Sequence, residues 1–154
     1  MFLYLVRHAE AKTEAEDPAR PLSEKGLHDI RKTASRLAGM GLAVDRILCS
    51  RKLRAKQTAE VLSEHLRPRQ GVSETDGLAP TDDPGVIATL LQGMEGSLML
   101  VGHLPHLERL ASLLVCGKAD KRVVSFQTAG AVCLGRDESG TWSFHWTVTP
   151  QTVS

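Results

Sequence analysis

The sequence has few aromatic residues, almost no net charge and no long hydrophobic run. The net charge of +1 argues against a nucleic-acid-binding protein held by bulk charge, so any anion must be bound by a local cluster. No apolar stretch approaches the ~18 residues that a membrane-spanning helix needs, and no basic segment precedes an apolar one at the start. We therefore expect neither nucleic acid nor a membrane among the partners.

Cysteine is also scarce. Cys49, Cys116 and Cys133 are odd in number and widely spaced. Cys49 and Cys133 lie in apolar, strand-like segments, so small buried thiols fit better than disulfides or a zinc site. Because such thiols are typical of a reducing compartment, we expect a cytoplasmic protein.

The length of 154 residues predicts one domain that spans residues 1–154. A hydrophobic fraction of 42% and a charged fraction of 24% are ordinary for a globular protein. A chain of this size can bury one good core, with little left for a lid or a second domain. The sequence does not reveal the oligomeric state.

Apolar segments and helical periodicities alternate along the first two thirds of the chain, and strands close it. Helices are predicted from Ser23 to Gly39, through Ala55 to Leu66, from Pro84, and from Pro105 to Gly117. Strands are predicted at 2–6, 44–49, near 72, and at 97–101, 123–126, 131–134 and 142–148. This order predicts an α/β fold, a three-layer α/β/α sandwich with a mostly parallel central sheet and antiparallel edge strands.

Polar side chains follow three of the predicted strands directly. Arg7 and His8 follow the first strand, Ser50 follows the second and leads to Arg54, and His103 follows the strand at 97–101. Because ligands of open α/β sheets bind at the carboxyl edge, we expect two imidazoles and two guanidiniums to converge there. Guanidinium forks match phosphate oxygens, and a neutral imidazole is an able nucleophile toward phosphorus.

Four motifs occur in order: LVRHAEA, RPLSEKG, SRKLRAKQTAE and VGHLPHL. They resemble the signatures of the histidine phosphatase superfamily, whose fold is phosphoglycerate mutase-like. The small size of the chain and the particular residues within the motifs resemble its SixA-type phosphohistidine phosphatase branch. The resemblance runs from Phe2 to about Leu114. Ala9 stands where many relatives have glycine, and Arg51 stands where many have proline.

The resemblance implies roles for five residues. His8 would be the nucleophile and become a phosphohistidine. Arg7 and Arg54 would bind the phosphoryl oxygens, and His103 would stabilise their charge. Arg20, in the first loop, is a possible substrate-side contact. The resemblance implies no metal and no cofactor.

A proton donor is not evident in the sequence. Larger members of the superfamily carry an acidic residue before the third main strand, and Asp76 is the nearest carboxylate in that stretch. The alternative interpretation is that Asp76 is a turn residue. His106 lies near the same edge, and we expect it at the rim of the site.

Together these features predict a metal-independent phosphatase that hydrolyses phosphohistidine on a partner protein through a covalent intermediate on His8. We find no insertion of ~20 or more residues that would close over a small ligand, as small-molecule pockets require. An imidazole also leaves a phosphoramidate more easily than an alkoxide leaves an ester. The alternatives are a phosphatase of small phosphate monoesters with the same mechanism, or a non-catalytic phospho-ligand binding module. A metal-dependent hydrolase is disfavoured because Arg7 and Arg54 would repel a cation.

Overall fold

A six-stranded mixed sheet with helices on both faces forms the protein in the computed structural model, which describes residues 1–152. The strands are β1 (Phe2–Arg7), β2 (Arg46–Cys49), β3 (Val72–Glu74), β4 (Ser97–Gly102), β5 (Ala131–Arg136) and β6 (Trp142–Val148). The helices are α1 (Glu24–Gly39), α2 (Leu53–Leu66), α3 (Pro84–Gln92) and α4 (His106–Cys116), followed by a 3-10 turn at Pro150–Thr152.

The strand order is β3-β2-β4-β1-β5-β6. β1 and β2 both pair in parallel with β4, and β3 pairs in parallel with β2. β5 runs antiparallel to β1, and β6 runs antiparallel to β5. The predicted α/β fold, with a mostly parallel sheet and antiparallel strands at one edge, is confirmed. Among residues 1–152, no helix is both long and apolar enough to cross a membrane.

Side chains of β1 enter two separate hydrophobic cores, because successive residues of a strand point to opposite faces of the sheet. Tyr4 and Val6 belong to the core that α1 and α2 cover. Leu3 and Leu5 belong to the core that α3 and α4 cover. Burial on both faces explains why this strand is continuously apolar in the sequence rather than alternating.

Two of the helix starts are capped as their sequences predict. Ser23 Oγ accepts a hydrogen bond of 3.0 Å from the backbone N of Gly26, and Asp83 Oδ1 accepts one of 2.8 Å from Gly85 N. α2 differs, because its N-cap residue is Lys52 and no side chain caps it. Its first turn also carries no acidic residue.

The prediction of a strand at 123–126 is wrong, because this segment forms no strand in the structure. The Phe126 side chain is buried in the core beneath α3 and α4. Its carbonyl oxygen accepts a hydrogen bond of 3.2 Å from Arg7 Nη1 instead of a strand partner. Beyond Val6, the turn at 127–130 occupies the position beside β1, where Ala129 N donates to the carbonyl of Arg7.

Gly26 lets the loop after His8 lie directly against α1. A Cβ added at Gly26 would overlap the carbonyl oxygen of Glu10, whereas one added at Gly39 in the same helix would meet no atom within 4 Å. We expect Gly26→Ala to lower the free energy of unfolding by about 1–3 kcal/mol, as overpacking does. Gly39→Ala, the matched control, should leave it unchanged or raise it by up to ~1 kcal/mol. Urea denaturation measures both, and equal effects would contradict the close contact.

Candidate active site

Three parallel neighbours, β2, β4 and β1, bring their carboxyl ends to one edge of the sheet. His8 follows β1, Ser50 follows β2 and His103 follows β4. Sheet pairing extends one residue beyond the strands, because His8 N donates to Gly102 O at 3.0 Å and Ser50 N donates to Val101 O at 3.1 Å. The backbone of the site is therefore fixed by the sheet itself.

The two imidazoles face each other at this edge. The ring centroids of His8 and His103 lie 5.0 Å apart, with the ring planes at 52°. His8 Nδ1 lies 2.7 Å from the carbonyl oxygen of Ala9. Because a carbonyl oxygen can only accept, Nδ1 carries the proton, and the lone pair of the neutral ring lies on Nε2.

His103 shares a hydrogen bond with Ser50 through its Nε2 atom. Ser50 Oγ lies 2.6 Å from His103 Nε2, and both residues are buried. Ser50 Oγ also accepts a hydrogen bond of 3.3 Å from the backbone N of Lys52. The Ser50 hydroxyl can donate its proton to Nε2, and in that tautomer Nδ1 is the protonated nitrogen of a neutral His103.

Unpaired donors are concentrated at this edge. Arg7 Nε, Arg54 Nε and His103 Nδ1 are buried, and none of the three has a hydrogen-bond partner within residues 1–152. A buried polar group without a partner is costly, and three such donors from three different elements suit a shared oxyanion. Arg54 stands in the first turn of α2, where the helix dipole disfavours a cation and favours an anion.

The electrostatics keep both imidazoles neutral. Burial, opposed by the Ala9 carbonyl and assisted by the charges of Arg54, Arg7 and Arg20, lowers the pKa of His8 to about 4. Burial, with the charges of His8, Arg54 and Lys52 among the lesser causes, lowers the pKa of His103 to about 3. A neutral imidazole with a free lone pair is the form that attacks phosphorus.

Arg20 reaches the same region from the first loop. Its backbone has a φ of +49°, and its Nε donates to the carbonyl oxygen of Lys12 at 3.0 Å. Its charge helps to lower the pKa of Arg54, after the larger effect of burial, and that of His8. Arg20 is thus close enough to act on the charges of His8 and Arg54, and its role as a substrate-side contact stays a prediction.

Asp76 lies near the edge but in an ion pair. Its Oδ1 accepts a hydrogen bond of 2.7 Å from Arg51 Nε, and 87% of its side chain is exposed. The hydrogen bond and the charge of Arg51 lower the pKa of the Asp76 carboxyl. A general acid needs the opposite shift, so this environment disfavours Asp76 as the proton donor and favours its interpretation as a turn residue.

The expectation that His106 lies at the rim is wrong. His106 is the first residue of α4 and is completely buried. Burial lowers the pKa of this imidazole.

The roles of two side chains that hold the site together were not predicted from the sequence. Thr58 Oγ1 accepts a hydrogen bond of 3.0 Å from Ala9 N and donates one of 2.7 Å to Arg54 O, which ties the residue after His8 to α2. The sequence predicts Ser50 at the carboxyl edge of the sheet but does not predict its hydrogen bond to His103. For Thr58 the available signal was a hydroxyl on the buried face of a helix, since such a group needs a partner.

Residues 3–82 match the family model of the histidine phosphatase superfamily (branch 1). The chain belongs to this superfamily, and it is therefore a hydrolase.

Individual relatives resemble this chain over nearly its whole length. Phosphohistidine phosphatase SixA of Escherichia coli (strain K12) is 31% identical, over 97% of this chain and 94% of that protein. The structure of the protein histidine phosphatase SixA complexed with tungstate has a TM-score of 0.89 and 29% identity, over the whole of both chains. The putative phosphohistidine phosphatase SixA from Agrobacterium tumefaciens has a TM-score of 0.77 and 25% identity, over 97% of each chain.

The lowered pKa values make the protein less stable in mild acid. As the pH falls from about 7 to about 5, the unfolded chain binds protons on these histidines and the folded chain does not, so the free energy of unfolding falls. For one fully neutral buried histidine the loss approaches about 2 kcal/mol at about pH 5, and the partial exposure of His8 reduces its share. His106 adds in the same direction. Urea denaturation at the two pH values measures the loss.

His8→Gln should lose less stability over this interval than the wild type, because it removes one of the contributing groups. The control, His28→Gln on the exposed surface of α1, should follow the wild type. An unchanged slope for His8→Gln would contradict the assigned environment of His8.

Proposed function

We propose that the chain is a phosphohistidine phosphatase that acts on a phosphorylated protein, with His8 as the nucleophile. The observation that carries the proposal is the neutral His8 ring, which faces His103 at 5.0 Å among the unpartnered donors of Arg7, Arg54 and His103. The similarity to phosphohistidine phosphatase SixA supports it. Tungstate is an oxyanion with the shape of phosphate, and its complex with a relative is consistent with an oxyanion site.

In the first step, the lone pair on His8 Nε2 attacks the phosphorus atom in line with the bond to the leaving imidazole. The new P–N bond forms as the old one breaks, and the departing nitrogen takes a proton from solvent, so the substrate ring leaves as a neutral imidazole. Charge spreads over the three equatorial oxygens, where Arg7, Arg54 and His103 Nδ1–H donate to them. Arg20 contacts the substrate from the loop side.

In the second step, a water molecule attacks the phosphorus of the phosphohistidine on His8. The bond to His8 Nε2 breaks, inorganic phosphate leaves, and the neutral imidazole is restored. The same three donors serve this transition state, because the charge again develops on the equatorial oxygens. The carbonyl of Ala9 holds the Nδ1 proton throughout and so keeps the ring in one tautomer.

The identity of the leaving group follows from the absence of a suitable acid among the site residues described above. An alkoxide needs a positioned proton donor, and Asp76 is committed to Arg51. An imidazole leaves readily because its nitrogen is easily protonated. Each segment that connects the helices and strands within residues 1–152 is shorter than about 20 residues, which favours a side chain on another protein over a small ligand that a lid would enclose.

The proposal includes a single catalytic domain over residues 1–154 and a cytoplasmic location. One sheet with a core on each face supports the first. The buried thiols of Cys49 and Cys133 support the second, because unpaired cysteines of this kind are typical of a reducing compartment.

Wild-type protein quenched with base during turnover of phosphoimidazole should carry phosphate on His8. His8→Ala should carry none and lose turnover while keeping its circular dichroism spectrum, because the chemistry and not the fold depends on this ring. Mass spectrometry of the quenched peptides locates the label. His145→Ala, on the remote edge strand β6, serves as the control and should be labelled normally. A label on another residue, or a normal rate for His8→Ala, would show the nucleophile to be misassigned.

The ratio kcat/KM for a phosphohistidine peptide should exceed that for phosphoserine, phosphotyrosine and sugar phosphates by at least about tenfold, which is ~1.4 kcal/mol of transition-state preference. The reason is the easier departure of imidazole from a site without a free acid. Release of inorganic phosphate from each substrate measures the ratio. Efficient hydrolysis of a sugar phosphate with phosphohistidine untouched would overturn the proposal and favour a monoester phosphatase.

A further inference from the structure

A cavity lies beside the proposed active site, between the turn after β2 and the loop that precedes α3. Its volume is about 320 Å³, and its wall includes Ser50, Lys52, Thr75 and Asp82. Because Ser50 Oγ lies 2.6 Å from His103 Nε2, the cavity begins one hydrogen bond away from the imidazole that faces the nucleophile. Ser50 thus belongs both to the cavity wall and to the bond with His103, which makes the cavity a neighbour of the proposed active site.

The loop side of the cavity has a fixed shape. Gly77 is buried with a φ of +93°, and a Cβ there would lie 3.2 Å from the Val86 side chain, so the backbone packs closely on α3. Ala79 N donates to Asp82 Oδ2 at 3.0 Å, and Asp82 N donates to Ala79 O at 3.1 Å. These contacts form the wall before any ligand binds, as is usual for binding sites.

Some of the charged side chains around the cavity form ion pairs and others do not. Arg51 joins its two sides through the bond to Asp76. This exposed pair adds little stability, but it occupies both charges. Lys52 is exposed and forms no ion pair within residues 1–152. Asp82, which also lines the cavity, forms no ion pair either, but its carboxylate accepts the hydrogen bond from Ala79 N. The ammonium of Lys52 is thus the charged group of the wall that has neither a side-chain nor a backbone partner within residues 1–152.

Lys52 occupies a position where a lysine does not help the fold. It is the N-cap of α2, makes no capping bond, and is followed by a first turn without a carboxylate. A cation at a helix N-terminus opposes the dipole, whereas serine or aspartate would cap the helix, as Ser23 and Asp83 do for α1 and α3. A stabilising role therefore does not explain Lys52, and an anion near its side chain does.

The size and lining of the cavity indicate what it holds. Its volume is at the lower end of the range for ligand pockets, which suits one or two residues of a polypeptide better than a nucleotide. The lining consists of small, hydroxyl-bearing and charged residues, with no aromatic or large aliphatic side chain among those that the structure describes. A nucleobase would find no stacking partner there, whereas a carboxylate side chain would find Lys52.

We propose that this cavity is a subsite for the polypeptide that flanks the phosphohistidine, and that Lys52 in it binds a glutamate or aspartate of the substrate protein. The inference rests on the proposed phosphohistidine phosphatase activity. It extends recognition from the phosphoryl group to the segment that carries it.

Peptides and a small phosphoramidate separate the two levels of recognition. Each peptide carries one phosphohistidine with either glutamate or glutamine next to it, and the peptides are otherwise identical. Both the preceding and the following position are tested. Phosphoimidazole carries no flanking residue. For the wild type, we expect kcat/KM to be about threefold or more higher for a glutamate peptide than for its glutamine counterpart, on the scale of a partly exposed ion pair. Lys52→Gln should abolish this preference. Because the variant keeps the backbone hydrogen bond to Ser50, and burial rather than the charge of Lys52 is the main cause of the lowered pKa of His103, turnover of phosphoimidazole should change by no more than about twofold.

Lys118→Gln is the matched control, because Lys118 is exposed and follows the end of α4 that is remote from His103. It should retain the preference for glutamate. Equal kcat/KM for glutamate and glutamine peptides on both sides, with normal turnover of phosphoimidazole, would overturn the subsite and leave the phosphatase proposal standing.

Two other outcomes also count against the subsite. If Lys52→Gln slows phosphoimidazole as much as the peptides, Lys52 acts on the phosphoryl group and not on the flanking segment. If the wild type turns over neither phosphoramidate, the proposed function fails, and the subsite fails with it.

Discussion

The parallel pairing of β1 and β2 with β4 is the constraint on which the rest of the structure depends. Because the carboxyl ends of these strands meet, residues as distant in sequence as His8, Ser50 and His103 each follow a fixed backbone position at one edge. The sheet thus supplies the geometry, and the covering helices need only bury its faces. Burial in turn keeps the imidazoles neutral, so one arrangement explains both the placement and the protonation state of the site.

Much of this was predictable because the signals were local. A strand buried on both faces is continuously apolar, and the polar residue that ends it marks the sheet edge, as with Arg7 and His103. Ser23 and Asp83 likewise indicate where the helices that they cap begin. The α/β fold and the side of the sheet that carries the conspicuous residues follow from such signals.

What escaped prediction depends on contacts between distant segments. The segment at 123–126 has the composition of a strand, but the position beside the end of β1 is taken by the turn that follows it. His106 looks like a rim residue until the chain packs over it. The partner of Asp76 lies 25 residues away, and no local pattern distinguishes a free carboxylate from one held by Arg51.

The two hydrogen bonds of Thr58 have a mechanical consequence. One hydroxyl joins the backbone that follows His8 to the carbonyl of Arg54, so the position of the segment that carries His8 is coupled to the start of α2. The spacing between the ring of His8 and the guanidinium of Arg54 therefore depends in part on a side chain that belongs to neither residue.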